Sequence, residues 1–348
     1  MVQILRSMGL MKSDGSDLAL PEPAPRAILE TFHDPHYLDV LQNAARGHMD
    51  AEGLYMGLGS PDTPVFRDLY DFATLACGAT LTAVEMVASG EARIAFNPSG
   101  GYHHAFPARA AGFCYINDVA IACRQLAERY DRVLYLDIDV HHGDGVQAAF
   151  YDRRDVLTLS MHESPRTLFP GTGHVTEIGE GPGRGYSVNV PLPPDTYDAV
   201  WLEAFRAVAP PIVGAYDPEI IVFEVGMDCL SGDPLAHLGM TNNAYAEAIR
   251  EAMAFDRPLV VTGGGGYNVE NTARGWALAW TVLSGQDRAD DLSMGLGGVM
   301  LETTDWQAGL MDRRLAVDDD VRARVEPEVE RTVAEVRRLV FPLLGIEA

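Results

Sequence analysis

Short apolar runs alternate with segments of helical periodicity along most of this chain. Apolar residues recur at helical spacing over residues 71–90 and 117–130, and again near 198–209 and 242–254. Between them lie strand-like runs, in the order ARIAFN, RVLYLDIDV, DVLTLSMH, EIIVFEVGMD and RPLVVT. Strands that are almost wholly apolar are typical of a parallel sheet covered on both faces. The pattern predicts an α/β fold with a mainly parallel sheet between helical layers.

We expect a single domain over residues 1–348. No convincing linker precedes about residue 285, and 348 residues suffice for one large α/β core. The tail over 286–348 contains a charged amphipathic helix, AVDDDVRARVEPEVERTVAEVRRLVF, which we expect to pack on the same domain.

The charge and cysteine content indicate which kinds of partner and which cellular compartment to expect. A net charge of −24 disfavours direct binding to nucleic acid and fits basic partners such as lysine-rich protein segments. The four cysteines show no CxxC spacing, and the N-terminus lacks a signal-peptide pattern. We read no apolar run as long enough to span a bilayer. We therefore expect a cytoplasmic protein with no membrane partner, and its oligomeric state stays open.

Polar clusters follow the strand-like runs rather than precede them. The clusters are GGYHHA, DIDVHHGDG, SMHE, GMDCLSGDP and GGGGYN. Because the carboxyl ends of parallel strands meet at one edge of a sheet, these five clusters are expected to converge on one ligand site.

The stretch DIDVHHGDG predicts a metal site. Side chains alternate along a strand, so Asp137, Asp139 and His141 are expected to point the same way. Asp139 and His141 could bind one metal, with Asp137 behind them. Asp228, from a neighbouring strand end, would complete three protein ligands with one open position, the pattern of catalytic zinc.

Six longer motifs make the chain similar to a known family. It resembles the histone deacetylases, particularly the class I enzymes and the bacterial acetoin-utilisation proteins. The motifs, in the family's order over about residues 30–285, are GGYHHAFPARAAGFCYINDVAIA, VLYLDIDVHHGDGVQAAF, SMHESPRTLFPGTG, GRGYSVNVPLP, VGMDCLSGDPLAHLGMT and GGGGYNVENTARGW. The resemblance implies the three-layer arginase–deacetylase fold, with a sheet of about eight strands.

The resemblance also implies roles for individual residues. It makes Asp139, His141 and Asp228 the zinc ligands. It makes the catalytic residues His103, His104 and Tyr267, with Asp137 and Asp144 orienting the two histidines. A structural potassium ion would be held by Asp137, Asp139, Ser160 and main-chain oxygens of His141 and Met161. The residues implied to contact substrate are Gly112 and Phe113, Phe169 across the acyl-lysine tunnel, Leu235 near its mouth, and Asp62 at its rim.

The implied reaction is hydrolysis of the amide of N6-acetyl-lysine in a protein or peptide, which releases acetate. Zinc would lower the pKa of a bound water and polarise the carbonyl. His104 would transfer the protons and His103 would act electrostatically, while Tyr267 would donate a hydrogen bond to the oxyanion. Iron(II) could replace zinc, because imidazole and carboxylate ligands discriminate poorly among divalent ions.

Two other functions stay open at this stage. One is hydrolysis of another amide, such as an acetylpolyamine or a different acyl-lysine, although GDPLAHLGMT lacks the glutamate that would favour polyamines. The other is a weakly active or non-catalytic acyl-lysine binder. Relatives begin with a strand and an HPxxPxR-type segment, whereas this sequence begins with MVQILRSMGLM. The arginine of that segment is expected to line an acetate channel.

Overall fold

The computed structural model describes residues 1–11, 18–287 and 310–347. Within them the α-helices are α1 (Val2–Ser7), α2 (Arg26–Leu29), α3 (Pro35–Ala45), α4 (Ala51–Tyr55), α5 (Leu69–Ala88), α6 (Asp118–Ala127), α7 (Asp144–Phe150), α8 (Asp198–Tyr216), α9 (Asn242–Ala254), α10 (Val269–Leu283) and α11 (Asp319–Val340). The strands are β1 (Ile94–Asn97), β2 (Val133–Asp137), β3 (Val156–Glu163), β4 (Ser187–Leu192), β5 (Ile220–Glu224) and β6 (Leu259–Thr262).

All six strands belong to one parallel sheet, in the order β1-β6-β5-β2-β3-β4. The predicted α/β fold is confirmed, and the five strand-like runs form β1, β2, β3, β5 and β6. The expectation of about eight strands is wrong for the described residues, which contain six. Ahead of β1 those residues form only helices and irregular chain, so no described strand extends the sheet beyond β1.

Both faces of the sheet are buried, as the apolar strands predict. Along β2, Leu134 and Leu136 lie in one core and Val133 and Tyr135 in the other. Residues of α8, α9, α10 and α11 fill the first core, and residues of α3, α5 and α6 fill the second. Burying one such aliphatic side chain stabilises the fold by about 1.5–3 kcal/mol. Replacing an apolar residue by a polar one therefore costs the least stability at the strand ends, where the candidate site lies.

The start of α6 is fixed to the histidine-bearing loop. The side chain of Asn117 caps this helix by accepting a hydrogen bond from the backbone N–H of Ala120. The same amide donates hydrogen bonds to the carbonyl oxygens of His103 and Ala105. One buried side chain thus joins the helix start to the loop that carries the tandem histidines.

The C-terminal helix α11 packs on β4 and α8. Its buried face includes Val325, Val329 and Val336, while Glu328 on its surface pairs with Arg166 at 2.7 Å. Part of the predicted tail, residues 288–309 and 348, lies outside the described residues. The assignment of the whole chain to one domain stays a prediction.

Among the described residues, α5 alone is long and apolar enough to cross a membrane by length and composition. This differs from our expectation that no apolar run reaches that length. Half of the apolar stretch is buried, and Cys77 and Val84 on this helix lie in the core. Core helices meet the same criterion, so α5 is weak evidence for a membrane span.

Candidate active site

The predicted polar clusters converge at the carboxyl edge of the sheet. Asp137 ends β2 and lies opposite Glu224, which ends β5. Thr262 ends β6 beside Glu224, and Asn97 ends β1 beside Thr262. The loops that follow these strand ends carry the candidate metal ligands, the tandem histidines and Tyr267.

Asp139, His141 and Asp228 form a compact buried group with ligand atoms within 4.8 Å of one another. The Nδ1 atom of His141 lies 3.0 Å from Oδ2 of Asp228 and 3.3 Å from Oδ1 of Asp139. One imidazole nitrogen and two carboxylates suit zinc or a similar divalent ion, and three protein ligands leave a position open. The structure therefore brings the three predicted zinc ligands together, while their role stays a prediction.

Backbone contacts hold the two carboxylates in place. The backbone N–H of Val140 donates to Oδ1 of Asp228 at 2.9 Å, and that of Gly265 donates to Oδ2 of Asp139 at 2.6 Å. A Cβ at Gly265 would lie 1.9 Å from the Asp228 carboxylate, so only glycine allows this close approach.

The electrostatics of this group call for a cation. Burial, together with the negative charge of Asp139, raises the pKa of Asp228 to about 7. Two carboxylates that meet away from water are costly unless a positive charge compensates them. Without a metal, His141 supplies part of that charge, because the two carboxylates outweigh burial and raise its pKa to about 10. A divalent ion bound between Asp139, His141 and Asp228 would take the place of that proton, so these donors fit the implied metal.

The tandem histidines each contact a carboxylate, as the resemblance implied. Nδ1 of His104 lies 2.7 Å from Oδ1 of Asp144, and Nδ1 of His103 lies 3.2 Å from Oδ2 of Asp137. The two Nε2 atoms are 3.0 Å apart. If His104 donates its Nδ1 proton to Asp144, its Nε2 must accept a proton from His103. His103 then carries a proton on both nitrogens and His104 on one.

The pKa shifts agree with this proton count. Burial disfavours a charged His103, but Glu224 and Asp137 outweigh it and hold the pKa of His103 well above its ordinary value. Burial lowers the pKa of His104 well below its ordinary value, and charges on His103 and His141 add to that effect. Contact with a carboxylate therefore goes with a raised pKa at His103 but does not outweigh burial at His104. A neutral His104 has one lone pair, on Nε2, which accepts from His103 here and can accept a proton when a water replaces that donor.

Glu224 is a further site residue that the sequence analysis did not name. Its Oε1 lies 3.0 Å from Nδ1 of His103, an ion-pair contact without hydrogen-bond alignment. The hydroxyl of Tyr135 lies 2.7 Å from both Oε2 of Glu224 and Oδ2 of Asp137. One hydroxyl proton cannot serve two carboxylates, so one of the two carboxyl groups must carry a proton. Burial raises the pKa of Glu224 to about 8, which makes it the better candidate. The signal in the sequence was one glutamate within the apolar run IIVFEV.

Tyr267 lies between the metal-ligand group and the tunnel aromatics. Its ring centroid is 6.2 Å from that of His141 and 5.5 Å from that of Phe113. Burial raises the pKa of Tyr267 far above its ordinary value, and the charges of Asp228 and Asp139 raise it further. The phenol therefore stays protonated and can donate a hydrogen bond.

The predicted tunnel residues lie near His104 and Tyr267. Phe113 and Phe169 are 41% and 44% exposed, and the Phe169 ring lies 5.0 Å from that of His104. A Cβ at Gly112 would lie 2.5 Å from His104 and 2.8 Å from Phe169, so only glycine leaves room for both rings at this position. Leu235 is also exposed. The backbone carbonyl of the exposed Asp62 accepts a hydrogen bond from Phe113 at 3.0 Å, which places Asp62 at the rim.

The predicted potassium ligands are also neighbours in the sheet. Ser160 lies opposite Asp137 in the ladder between β2 and β3, and Met161 follows it, fully buried. Oδ1 of Asp137 accepts a hydrogen bond from the backbone N–H of Asp139 at 3.0 Å. The Ser160 hydroxyl lies 2.8 Å from Nδ1 of His162 and retains oxygen lone pairs for another partner. The potassium site stays a prediction.

Comparison with known proteins agrees with the resemblance in the sequence. A family model described as "Histone deacetylase domain" matches residues 1–283, so the match begins well before the expected residue 30. The chain is 41% identical over 302 residues to the acetoin utilization protein AcuC of Bacillus subtilis (strain 168), covering 83% of this chain and 78% of AcuC. It is 37% identical over 291 residues to histone deacetylase 8 of Xenopus tropicalis, covering 83% of this chain and 78% of that protein.

Solved structures show the same architecture. A histone deacetylase homologue complexed with SAHA superposes with a TM-score of 0.87 at 32% sequence identity, covering 97% of this chain and 92% of that one. A homologue from Aquifex aeolicus gives a TM-score of 0.86 at 32% identity, with the same coverage. The chain is an enzyme of the amidohydrolase type and belongs to the histone deacetylase family.

Proposed function

We propose that this protein is a zinc-dependent lysine deacylase that hydrolyses the amide of N6-acetyl-lysine in proteins or peptides and releases acetate. The observation that carries the proposal is geometric: His104 contacts Asp144, its ring lies 5.8 Å from that of His141 in the Asp139–His141–Asp228 group, and the His141 ring lies 6.2 Å from that of Tyr267. A protein that only binds acyl-lysine needs neither a proton acceptor nor an oxyanion donor.

The chain's own groups supply most of the chemistry. A divalent ion held by Asp139, His141 and Asp228 would supply Lewis acidity and favour deprotonation of water. His104 accepts the proton of the attacking water and later delivers one to the leaving lysine amine. Tyr267 donates a hydrogen bond to the oxyanion that develops from the substrate carbonyl.

The surroundings of these groups fit an acyl-lysine side chain. Phe113 and Phe169 are half-exposed aromatics that can enclose the aliphatic stem of lysine. The exposed carboxylate of Asp62 at the rim can accept hydrogen bonds from the substrate backbone. A net charge of −24 favours basic substrates. We also propose a cytoplasmic location, supported by four buried free cysteines.

Turnover measured beside metal content tests the proposal. Purified protein is loaded with zinc, or separately with iron(II), and incubated with acetyl-lysine peptides, longer acyl-lysine peptides and acetylpolyamines while acetate or the other acid is quantified. We expect acetyl-lysine peptides to be preferred and His104→Ala to abolish that preference together with turnover. Faster turnover of acetylpolyamines would favour the small-amide alternative. Binding of acetyl-lysine peptide without turnover in the metal-loaded protein would favour a non-catalytic binder.

A further inference from the structure

Asp233 is a buried carboxylate that joins the tunnel mouth to the catalytic tyrosine. It is 8% exposed and lies in the loop after Asp228. Its Oδ1 accepts a hydrogen bond from the backbone N–H of Leu235 at 2.9 Å, and its Oδ2 accepts one from the backbone N–H of Tyr267 at 2.7 Å. The two oxygens of one side chain therefore hold two segments that are far apart in the sequence.

The segment before Tyr267 needs such a restraint. Gly264 and Gly266 adopt φ values of +142° and +146°, which residues with a Cβ rarely adopt. Glycine also restricts its own backbone least, so contacts with other segments must hold this run in one conformation. Two hydrogen bonds hold the segment at Gly265, whose N–H donates to Asp139 and whose carbonyl accepts from the N–H of Met227 at 2.6 Å. The next hydrogen bond that holds this segment is the one from the backbone N–H of Tyr267 to Asp233.

The hydrogen bonds at Gly265 and at Tyr267 fix different parts of this loop. The contact at Gly265 fixes the loop against the metal-ligand group, one residue short of the glycine that precedes Tyr267. The contact at Asp233 fixes the backbone of Tyr267 itself, one residue before Asn268 caps helix α10. A charged acceptor makes a stronger hydrogen bond than a neutral one, and this acceptor is shielded from water.

We propose that Asp233 is a positioning residue, which holds the Tyr267 hydroxyl toward the metal-ligand group and couples that position to Leu235 at the tunnel mouth. The inference rests on the proposed deacylase function, in which Tyr267 acts mainly in the transition state. Catalytic groups lose much of their effect when displaced by about 1 Å. Loss of the Asp233 contact therefore lowers kcat more than it raises KM.

Two substitutions remove hydrogen bonds of Asp233 in different ways. In Asp233→Asn the single oxygen can accept from only one of the two backbone N–H groups, so an amide N–H faces either Leu235 or Tyr267. Asp233→Ser keeps a short hydroxyl that can still bond to Leu235 two residues on, but it is too short to replace the contact with Tyr267. A folding failure of one variant leaves the other to test the same contact.

The decisive measurement is a double-mutant cycle with Tyr267→Phe on zinc-loaded protein, using kcat and KM for an acetyl-lysine peptide. We expect Asp233→Asn or Asp233→Ser to lower kcat by roughly tenfold to a hundredfold in the wild-type background. In the Tyr267→Phe background we expect the same change to lower kcat by less than about twofold, because the group being positioned is already gone.

Asp198 provides a matched control. It is half-buried, and its carboxylate accepts two hydrogen bonds from Thr241 without contacting Tyr267. Asp198→Asn is expected to lower stability but to leave kcat of the folded protein within about twofold of wild type.

Three outcomes overturn the inference: wild-type kcat in both Asp233 variants, an equal loss with and without the Tyr267 hydroxyl, or an equal loss in Asp198→Asn. An inactive wild-type protein with full zinc would instead refute the proposed function, so the two failures can be told apart.

Discussion

Replacing His104 with alanine is expected to reduce kcat far more than replacing His103. A positioned proton-transfer group typically contributes about 10²–10⁴ in rate, or roughly 3–5 kcal/mol of the barrier. His104 is the neutral member of the pair and lies next to Phe169 on the tunnel side. Its removal should therefore forfeit most of that factor.

His103 contributes differently because its charge is already compensated. Asp137 lies 3.2 Å from its Nδ1 atom and offsets the positive charge, and the carboxyl group of Glu224 lies 3.0 Å from the same atom. We expect His103→Ala to lower kcat by only about tenfold, which is roughly 1.4 kcal/mol. Its larger effect should be on stability, because it leaves the buried carboxylate of Asp137 without its cation, at a cost of about 3–5 kcal/mol. His104→Ala should destabilise less, since Oδ1 of Asp144 still accepts from the backbone N–H of Gly145.

The assay combines steady-state kinetics on an acetyl-lysine peptide, zinc content and urea unfolding for the wild type and both variants. The expected pattern crosses over, with the greater loss of kcat in His104→Ala and the greater loss of unfolding free energy in His103→Ala. Zinc should remain stoichiometric in both. If folded, zinc-loaded His103→Ala lost more kcat than His104→Ala, the roles assigned to the two histidines would be reversed.

The other predictions test the metal, the oxyanion donor and Glu224. His141→Ala or Asp139→Ala should lose most bound zinc and nearly all activity; elemental analysis showing one zinc per chain in either variant would contradict the ligand assignment. Tyr267→Phe should lower kcat by about 10²–10³ with little change in peptide affinity; an unchanged kcat would remove it from the mechanism. A hydroxamate should inhibit strongly by chelation, and insensitivity at millimolar concentration with zinc bound would contradict an open metal position. Glu224→Gln should change unfolding free energy by less than about 1 kcal/mol, whereas Glu224→Leu should cost about 1–3 kcal/mol by leaving polar partners unpaired; equal losses in urea unfolding would contradict a protonated Glu224.

The sequence predicted the elements whose signal is local. Mostly apolar runs mark five of the six strands, and polar residues at their ends mark the edge of the sheet that carries the site. The motif DIDVHHGDG indicated Asp139 and His141 as metal ligands, and GMDCLSGDP added Asp228. The three lie close enough to hold one ion, while their role stays a prediction. Asp228 comes from another strand end, and only the parallel topology brings it close.

What the sequence could not predict depends on register and loop geometry. Glu224 acquires its role because β5 pairs with β2 so that this residue lies opposite Asp137, and pairing register cannot be read from IIVFEV alone. Asp233 lies in the motif GMDCLSGDP, but its contact with Tyr267 depends on two loops that are separated in sequence. The expected strand count came from the resemblance rather than from any apolar pattern, and it is the part that the described residues do not match.

The charges in the pocket link metal binding to the stability of the fold. Asp137, Asp139, Glu224 and Asp228 are each no more than 1% exposed, and His103 is the cation closest to Asp137 and Glu224. Burial disfavours a charged His141, but Asp139 and Asp228 outweigh it and raise the pKa of His141 to about 10. With a proton on Glu224, three carboxylates then face the two cations His103 and His141, and an uncompensated buried charge costs several kcal/mol. Cations bound among these carboxylates remove that cost only in the folded state, because the unfolded chain has no preformed site. Metal affinity and folding stability are therefore two measures of one electrostatic balance, and the same carboxylates that prepare the site for catalysis make the metal-free fold weaker.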